Sequence, residues 1–232
     1  VIAVDDREAS MHEGVTASGA HWLMGAWIER EREGAGAPSA LALLRRRRMG
    51  RTWARMLVTA GLGVDWPGFS ADQPGRKPRL LGDGRIDVSI AHSGAMLLVA
   101  VVADGLVGAD IEAEPFDVFD RPALIRRMCS DRELASVERL PRAARRRALA
   151  RAWTIKEATL KARGTGLADD PRTVPTALDR LIDDADVGPE RAIVHLTGSA
   201  GCAVSLPGRG DTSPARRGRT SHATSGPFDW SG

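Results

Sequence analysis

Glu157 and Lys161 stand four residues apart in a helical stretch and so project from one side, with Trp153 one turn earlier and Lys156 rotated away by about 100°. Upstream, Asp110 and Glu112 alternate with Ala109 and Ile111 in a strand-like run, which puts both carboxylates on one face. Carboxylates in this number suit a hard cation such as Mg²⁺, which keeps some waters and takes further oxygens from substrate phosphates. Glu157 and Lys161 also satisfy a plain surface ion pair, worth a few tenths of a kcal/mol. One count weighs on the side of chemistry: of 33 basic residues only Lys77, Lys156 and Lys161 are lysine, and two of them lie on this helix. An ammonium is compact and titratable where guanidinium is planar and permanently charged.

Other residue groups suit anions. Gly75, Arg76, Lys77, Pro78 and Arg79 form a basic loop, and His92 follows a strand directly at a turn. A lone histidine there also fits a structural role, and the run Arg45 to Arg48 fits a solvated helix face as well as a binding one.

These residues need elements to position them. Met49, Trp53, Met56, Leu57 and Ala60 recur at helical spacing and stop at Gly61 and Gly63, which predicts an amphipathic helix beginning near Ala40, its outer face carrying Arg45 to Arg48, Arg51 and Arg55. Ile86, Val88 and Ile90 alternate with Asp87, Ser89 and Ala91 in one strand, and the apolar run Ala95 to Ala103 forms the next. Asp104 and Gly105 predict a hairpin turn into a third strand carrying Asp110 and Glu112. Ser130 and Glu133 have capping-box spacing, Pro141 precedes a long helix over about Arg142 to Arg163, and Gly164 and Gly166 end it. Ala192 to Leu196 and Cys202 to Leu206 predict a last hairpin across Thr197 to Gly201. The order of helix, strands, helices and strands is α+β, with a hint of two similar halves.

Composition narrows the classes. The longest apolar run is too short to cross a bilayer, and the start, with Asp5, Asp6 and Glu8, lacks the regions of a signal peptide, so a cytoplasmic protein is expected. Cys129 and Cys202 cannot make a disulfide framework or a Cys-rich zinc site. Pro207 to Gly232 reads as a flexible tail that carries two of the three net positive charges, leaving a nearly neutral body. With aromatics at 4%, that balance argues against a nucleic-acid binder built on Arg45 to Arg55 and the tail.

In order, Arg76-Lys77-Pro78, Val88-Ser89-Ile90-Ala91-His92-Ser93-Gly94, Val107-Gly108-Ala109-Asp110-Ile111-Glu112, and Trp153-Thr154-Ile155-Lys156-Glu157-Ala158 with Lys161 and Gly164-Thr165-Gly166-Leu167 form one pattern. It resembles that of the surfactin-type 4′-phosphopantetheinyl transferases, from about Arg45 to Leu206. The resemblance implies a monomeric pseudodimer of two α+β halves, residues 1–112 with the coenzyme A motifs and 113–206 with the Trp-x-x-Lys-Glu helix, followed by a tail at 207–232. It implies transfer of the phosphopantetheine arm of coenzyme A to a serine of an apo acyl or peptidyl carrier protein, releasing adenosine 3′,5′-bisphosphate, as a holo-carrier-protein synthase does. Fatty acid, polyketide and nonribosomal peptide synthesis use such carriers.

By the same resemblance Asp110, Glu112 and Glu157 would hold Mg²⁺ or Mn²⁺, with Asp110 also facing the coenzyme. Glu157 would be the general base, and Lys161 would bind and protonate the leaving phosphate. His92 and Lys77 would contact phosphates or the adenine-ribose end, and Arg45 or Arg46 the 3′-phosphate. Arg126, Arg127, Arg132, Arg139 and Arg142 would meet an acidic carrier. Ala91 stands where the family has serine, which implies a lost phosphate contact. The rival from another class is a non-catalytic coenzyme A or carrier-protein binding module, whose signature would be missing acidic residues. No membrane or nucleic-acid partner is expected.

Overall fold

The computed structural model describes residues 11–26, 40–71, 76–82, 84–176 and 189–196, and the backbone of 202–205. The acidic start, Gly75, the 197–201 turn, the Cys202 side chain and the stretch from Pro207 onward lie outside the described residues. Helix and sheet are mixed, as an α+β reading requires. Strands β1 (His12–Val15), β2 (His21–Ala26), β3 (Ile86–Ser93) and β4 (Met96–Ala103) form an antiparallel sheet in the order β1-β2-β4-β3. Strands β5 (Leu106–Glu112), β6 (Glu190–Leu196) and β7 (Cys202–Ser205) form a second, in the order β5-β6-β7.

The first sheet is covered by α1 (Ala40–Met56), which runs on into a π-turn at Leu57–Gly61. Trp53, Ala54, Leu57 and Val58 pack on Leu23, Val88, Leu97, Val99 and Val101. Met49 and Ala60, expected on this face, are exposed. Gly50 is the reason for the first. A Cβ there would lie 2.9 Å from Ile90 Cγ2, so the helix rests on β3 through Gly50 and turns Met49 outward. The wider winding of the π-turn moves Ala60 off the buried stripe. The opposite face of β4, with Leu98, Ala100 and Val102, packs against Val107, Ala109 and Ile111 of β5, and a strand covered on both faces reads as the unbroken apolar run seen in the sequence.

The expected β4–β5 hairpin does not form. The chain turns at Asp104 and Gly105, both at positive φ, but β4 bonds to β2 and β3 while β5 bonds to β6, from Leu106 opposite Leu196 to Glu112 opposite Glu190. The sheets therefore part at that turn, and the strand carrying Asp110 and Glu112 belongs with β6 and β7.

Three further helices cover the second sheet: α2 (Pro122–Met128), α3 (Asp131–Val137) and α4 (Arg142–Arg163). Ser130 and Glu133 close a full capping box at α3. Helix α4 begins after Pro141 and ends where Gly164 adopts a left-handed conformation, φ 76°, its N–H reaching Leu160 and Lys161 carbonyls. No described helix is long and apolar enough to cross a membrane.

Candidate active site

Strands β3 and β5 lie side by side, joined by side chains. Asp87 accepts from the Val107 amide at 2.7 Å, Ser89 from Ala109 at 2.9 Å and Ser93 from Ala113 at 3.1 Å. This seam occupies every second residue of β3 at a constant offset of twenty. Ala91 falls on it, opposite Ile111, and is buried in the core between the sheets. A serine there would stand on this buried seam.

Lys77 joins the same seam. Its ammonium pairs with Asp87 and donates to the Val107 carbonyl, while burial lowers its pKa. The ammonium expected to contact a phosphate thus has a carboxylate and a carbonyl as partners within the protein.

On its other face β5 meets α4. A Cβ on Gly108 would overlap the Ala158 carbonyl oxygen and come within 2.6 Å of the Ala162 nitrogen, so the missing side chain lets the helix backbone lie against the strand. That proximity brings the short Asp110 side chain to Lys161, whose ammonium donates to Oδ1 at 2.6 Å and lies 3.8 Å from Glu157. Glu112 accepts from Ser93 at 2.9 Å. The four residues predicted for chemistry, Asp110, Glu112, Glu157 and Lys161, are gathered in one cluster.

Its charges do not balance. Burial raises the pKa of Glu112 and Glu157, and pushes Asp110 up to about 7, with Glu157 and Glu112 adding to the rise and Lys161 opposing it. Burial alone would lower Lys161, but Asp110, Glu157 and Glu112 outweigh it and hold its pKa above the ordinary range. One ammonium faces three carboxylates, and Asp110 Oδ2 is buried without a hydrogen-bond partner. This donor chemistry of hard oxygens and unmatched negative charge fits a divalent cation. As they stand, no three His, Cys, Asp or Glu side chains among the described residues are spaced to share a metal ion, and the Lys161 ammonium holds the place against Asp110.

The Asp110 shift has a sign that can be measured. A carboxyl whose folded pKa exceeds its unfolded value, about 3.9, stabilises the fold below the unfolded pKa and loses that contribution as pH rises through the folded one. In chelator, the stability of the parent relative to Asp110→Asn should therefore fall by a few kcal/mol between pH 4 and 8. Thermal unfolding across that range checks it, and a difference independent of pH would refute it.

Beside the cluster lies a cavity of about 600 Å³, lined by Arg46, Arg47, Arg51, Arg76, Lys77, Arg79 and His92 with the apolar Leu43, Ile90 and Leu97. Its volume is that of a small-molecule site. His92 connects cavity and cluster: desolvation lowers its pKa, and the charges of both Arg46 and Lys161 act on it in the same sense. Of the two arginines proposed for the 3′-phosphate, Arg46 lines the cavity while Arg45 is exposed outside it, because Gly50 on Ile90 turns Leu43, Arg46, Arg47 and Arg51 inward. Sequence reasoning assigned no role to Arg47 or Arg51 as cavity residues, although Leu43, Arg47, Gly50 and Arg51 already carry the i, i+4, i+7, i+8 pattern of one helical face.

Lys156 points away from the cluster, fully buried, and donates to Glu133, the Pro171 carbonyl at 3.1 Å and the Val174 carbonyl at 2.7 Å. Cys129 is buried and its thiol pushed up to about 11 by burial, first, and then by Glu133. Arg126, Arg127, Arg132 and Arg139 are exposed, and Arg142 is paired with Asp120.

No curated protein matches the chain. Residues 106–202, the stretch that supplies all three carboxylates and Lys161 but not Arg46, Lys77 or His92, match the ACPS family model, described as 4′-phosphopantetheinyl transferase superfamily.

Proposed function

We propose that the chain transfers the 4′-phosphopantetheine arm of coenzyme A to a serine of an apo acyl or peptidyl carrier protein, as surfactin-type transferases do. The superfamily domain at 106–202 points to phosphopantetheine transfer in general. The observation that carries the finer reading is the position of His92, at the wall of an arginine-rich cavity and within electrostatic reach of the carboxylate cluster. An anion-binding cavity leads to a place where charge on a pyrophosphate can be handled. The reading includes a pseudodimer of two α+β halves, residues 1–112 and 113–206, with β5 (Leu106–Glu112) pairing across that boundary with β6.

In this reading Arg46 and its cavity neighbours bind the phosphates of coenzyme A, with His92 at the passage to the cluster. Asp110, Glu112 and Glu157 would hold Mg²⁺ or Mn²⁺, which when bound neutralises the pyrophosphate. Glu157 accepts the proton of the carrier serine, whose oxygen forms a bond to the β-phosphorus. The bond from that phosphorus to the bridging oxygen breaks, and adenosine 3′,5′-bisphosphate leaves with the bonding pair on a phosphate oxygen. Lys161 neutralises and protonates that oxygen. The exposed arginines of α2 and α3 suit an acidic carrier surface and a faster encounter.

Incubation with coenzyme A, Mg²⁺ and apo carriers from fatty acid, polyketide and nonribosomal peptide synthesis tests this by the mass added to the carrier. Transfer to at least one carrier is expected, with Asp110→Ala and Glu157→Ala inactive and Lys161→Ala slowed about 10²-fold or more. Coenzyme A binding with no carrier modified would instead establish the non-catalytic module.

A further inference from the structure

The loop at 76–79 forms part of the wall of the arginine-rich cavity, and it is fastened at two points. At its end the Ser70 amide and hydroxyl both donate to the Arg79 carbonyl, at 2.8 and 3.1 Å, next to an isolated bridge between Phe69 and Leu80. In its middle the Lys77 ammonium donates to Asp87 and to the Val107 carbonyl. Oδ2 of Asp87 also accepts from the Val107 amide at 2.7 Å, so the loop, β3 and β5 close a small ring of three bonds. The side chains of Lys77 and Asp87 are only 14% and 16% exposed, which spares the pair much of the solvent screening that weakens surface pairs. Asp87 favours the charged form of the ammonium against burial and Arg79. Arg76 and Arg79 line the same cavity as Arg46, Arg47 and Arg51, and no Asp or Glu among the described residues lines it. Like charges on one wall push the loop away, and the carboxylate that opposes them lies behind it, on β3.

We propose that Asp87 is a positioning residue for anion binding: through Lys77 it holds the 76–79 loop against β5, and so keeps Arg76 and Arg79 on the wall of the cavity. Asp87 touches no substrate in this scheme, and the proposal rests on the reading of the cavity as the coenzyme A site. An anchoring and a phosphate-binding Lys77 predict opposite signs at position 87. If the ammonium is an anchor, removing the Asp87 charge loosens the loop and weakens anion binding. If the ammonium leaves Asp87 to meet a phosphate, removing that charge frees it and strengthens binding.

The test is calorimetric titration of the full chain with coenzyme A, at a temperature where circular dichroism shows every variant folded. Asp87→Asn keeps the side-chain volume and an acceptor for the Val107 amide. It should weaken binding about 10-fold, the loss expected when the loop is in place about a tenth of the time. Lys77→Met should weaken it by a similar factor, and the double variant no further than either single change, because both cut the same tie. Without coenzyme A, trypsin should cut after the exposed Arg76 and Arg79 faster in Asp87→Asn than in the parent, which locates the loosening in the loop. Parent-like or tighter binding by Asp87→Asn, additive losses in the double variant, or unchanged cleavage overturns the anchor while the coenzyme A reading stands. A parent that binds no coenzyme A brings down that reading and the proposal with it.

Discussion

Gly108→Ala should lose stability and transfer together, although it adds one methyl group and touches no charged residue. The new Cβ would overlap the Ala158 carbonyl oxygen, lie 2.7 Å from the Ala158 carbonyl carbon and 2.6 Å from the Ala162 nitrogen. All three are backbone atoms in the C-terminal part of α4, so no flexible side chain can move aside. Overpacking a core typically costs about 1–3 kcal/mol, and a rigid obstacle places this variant at the upper end or beyond. Relief requires α4 to back away from β5, which withdraws Lys161 from its 2.6 Å bond to Asp110. The variant that remains folded at low temperature should therefore stay impaired in transfer, unlike one that is merely unstable. Chemical denaturation measures the first effect, and the carrier mass assay at a temperature where the variant is fully folded measures the second. Parent-like transfer under those conditions would show that the close approach of strand and helix is unnecessary for the cluster.

The same glycine marks how far the sequence could be read. Local signals held wherever the determinant was local: Pro141 and Gly164 bound α4, Ser130 and Glu133 cap α3, and alternation along β5 puts Asp110 and Glu112 on one face. The Asp104-Gly105 turn misled because a turn sets direction and not partner, and the partner of β5 is a strand more than eighty residues later. Asp87 and Ser89 read as the polar face of a strand, yet period-two alternation does not say whether that face meets water or the amides of a neighbouring strand. Ala91 and Lys77 both lie on that hidden seam, which the alternation alone does not reveal. Strands β1 and β2 gave no sequence signal that was recognised, since β1 is four residues long and mostly exposed. In the site, residues acting by charge were legible by type and spacing, while the bond from Ser93 to Glu112 emerges only once β3 and β5 are placed together.

The scarcity of lysine acquires a physical reason in the structure. Each of the three ammonium groups pairs with a carboxylate, Lys77 with Asp87, Lys156 with Glu133 and Lys161 with Asp110. Lys156 is the most demanding. Its three donors reach Glu133 on α3 and the carbonyls of Pro171 and Val174, a set of directions that a compact ammonium can satisfy and a planar guanidinium cannot. Glu133 also closes the α3 capping box and accepts from Thr176, and these bonds hold its pKa below the ordinary value against the opposing effect of burial. One side chain thus ties together α3, α4 and the 171–174 turn.

Lys156→Ala should therefore cost about 3–5 kcal/mol, the loss expected when one partner of a buried ion pair is removed and the other is left behind. Lys156→Arg should recover little, because the larger fork must enter a site that is 0% exposed. Lys156→Met combined with Glu133→Gln should recover more than either change alone, since no uncompensated charge remains. Denaturation midpoints for these five variants, the two single changes included, test this ordering, and a parent-like midpoint for Lys156→Arg would refute the directional argument. Lys161→Ala should behave oppositely. Its side chain is 27% exposed, and Asp110 can take up a proton when the ammonium is gone, so transfer falls while the midpoint moves far less. Two lysines five residues apart on one helix are thereby separated by experiment, Lys156 through loss of the fold and Lys161 through loss of transfer in a protein that remains folded.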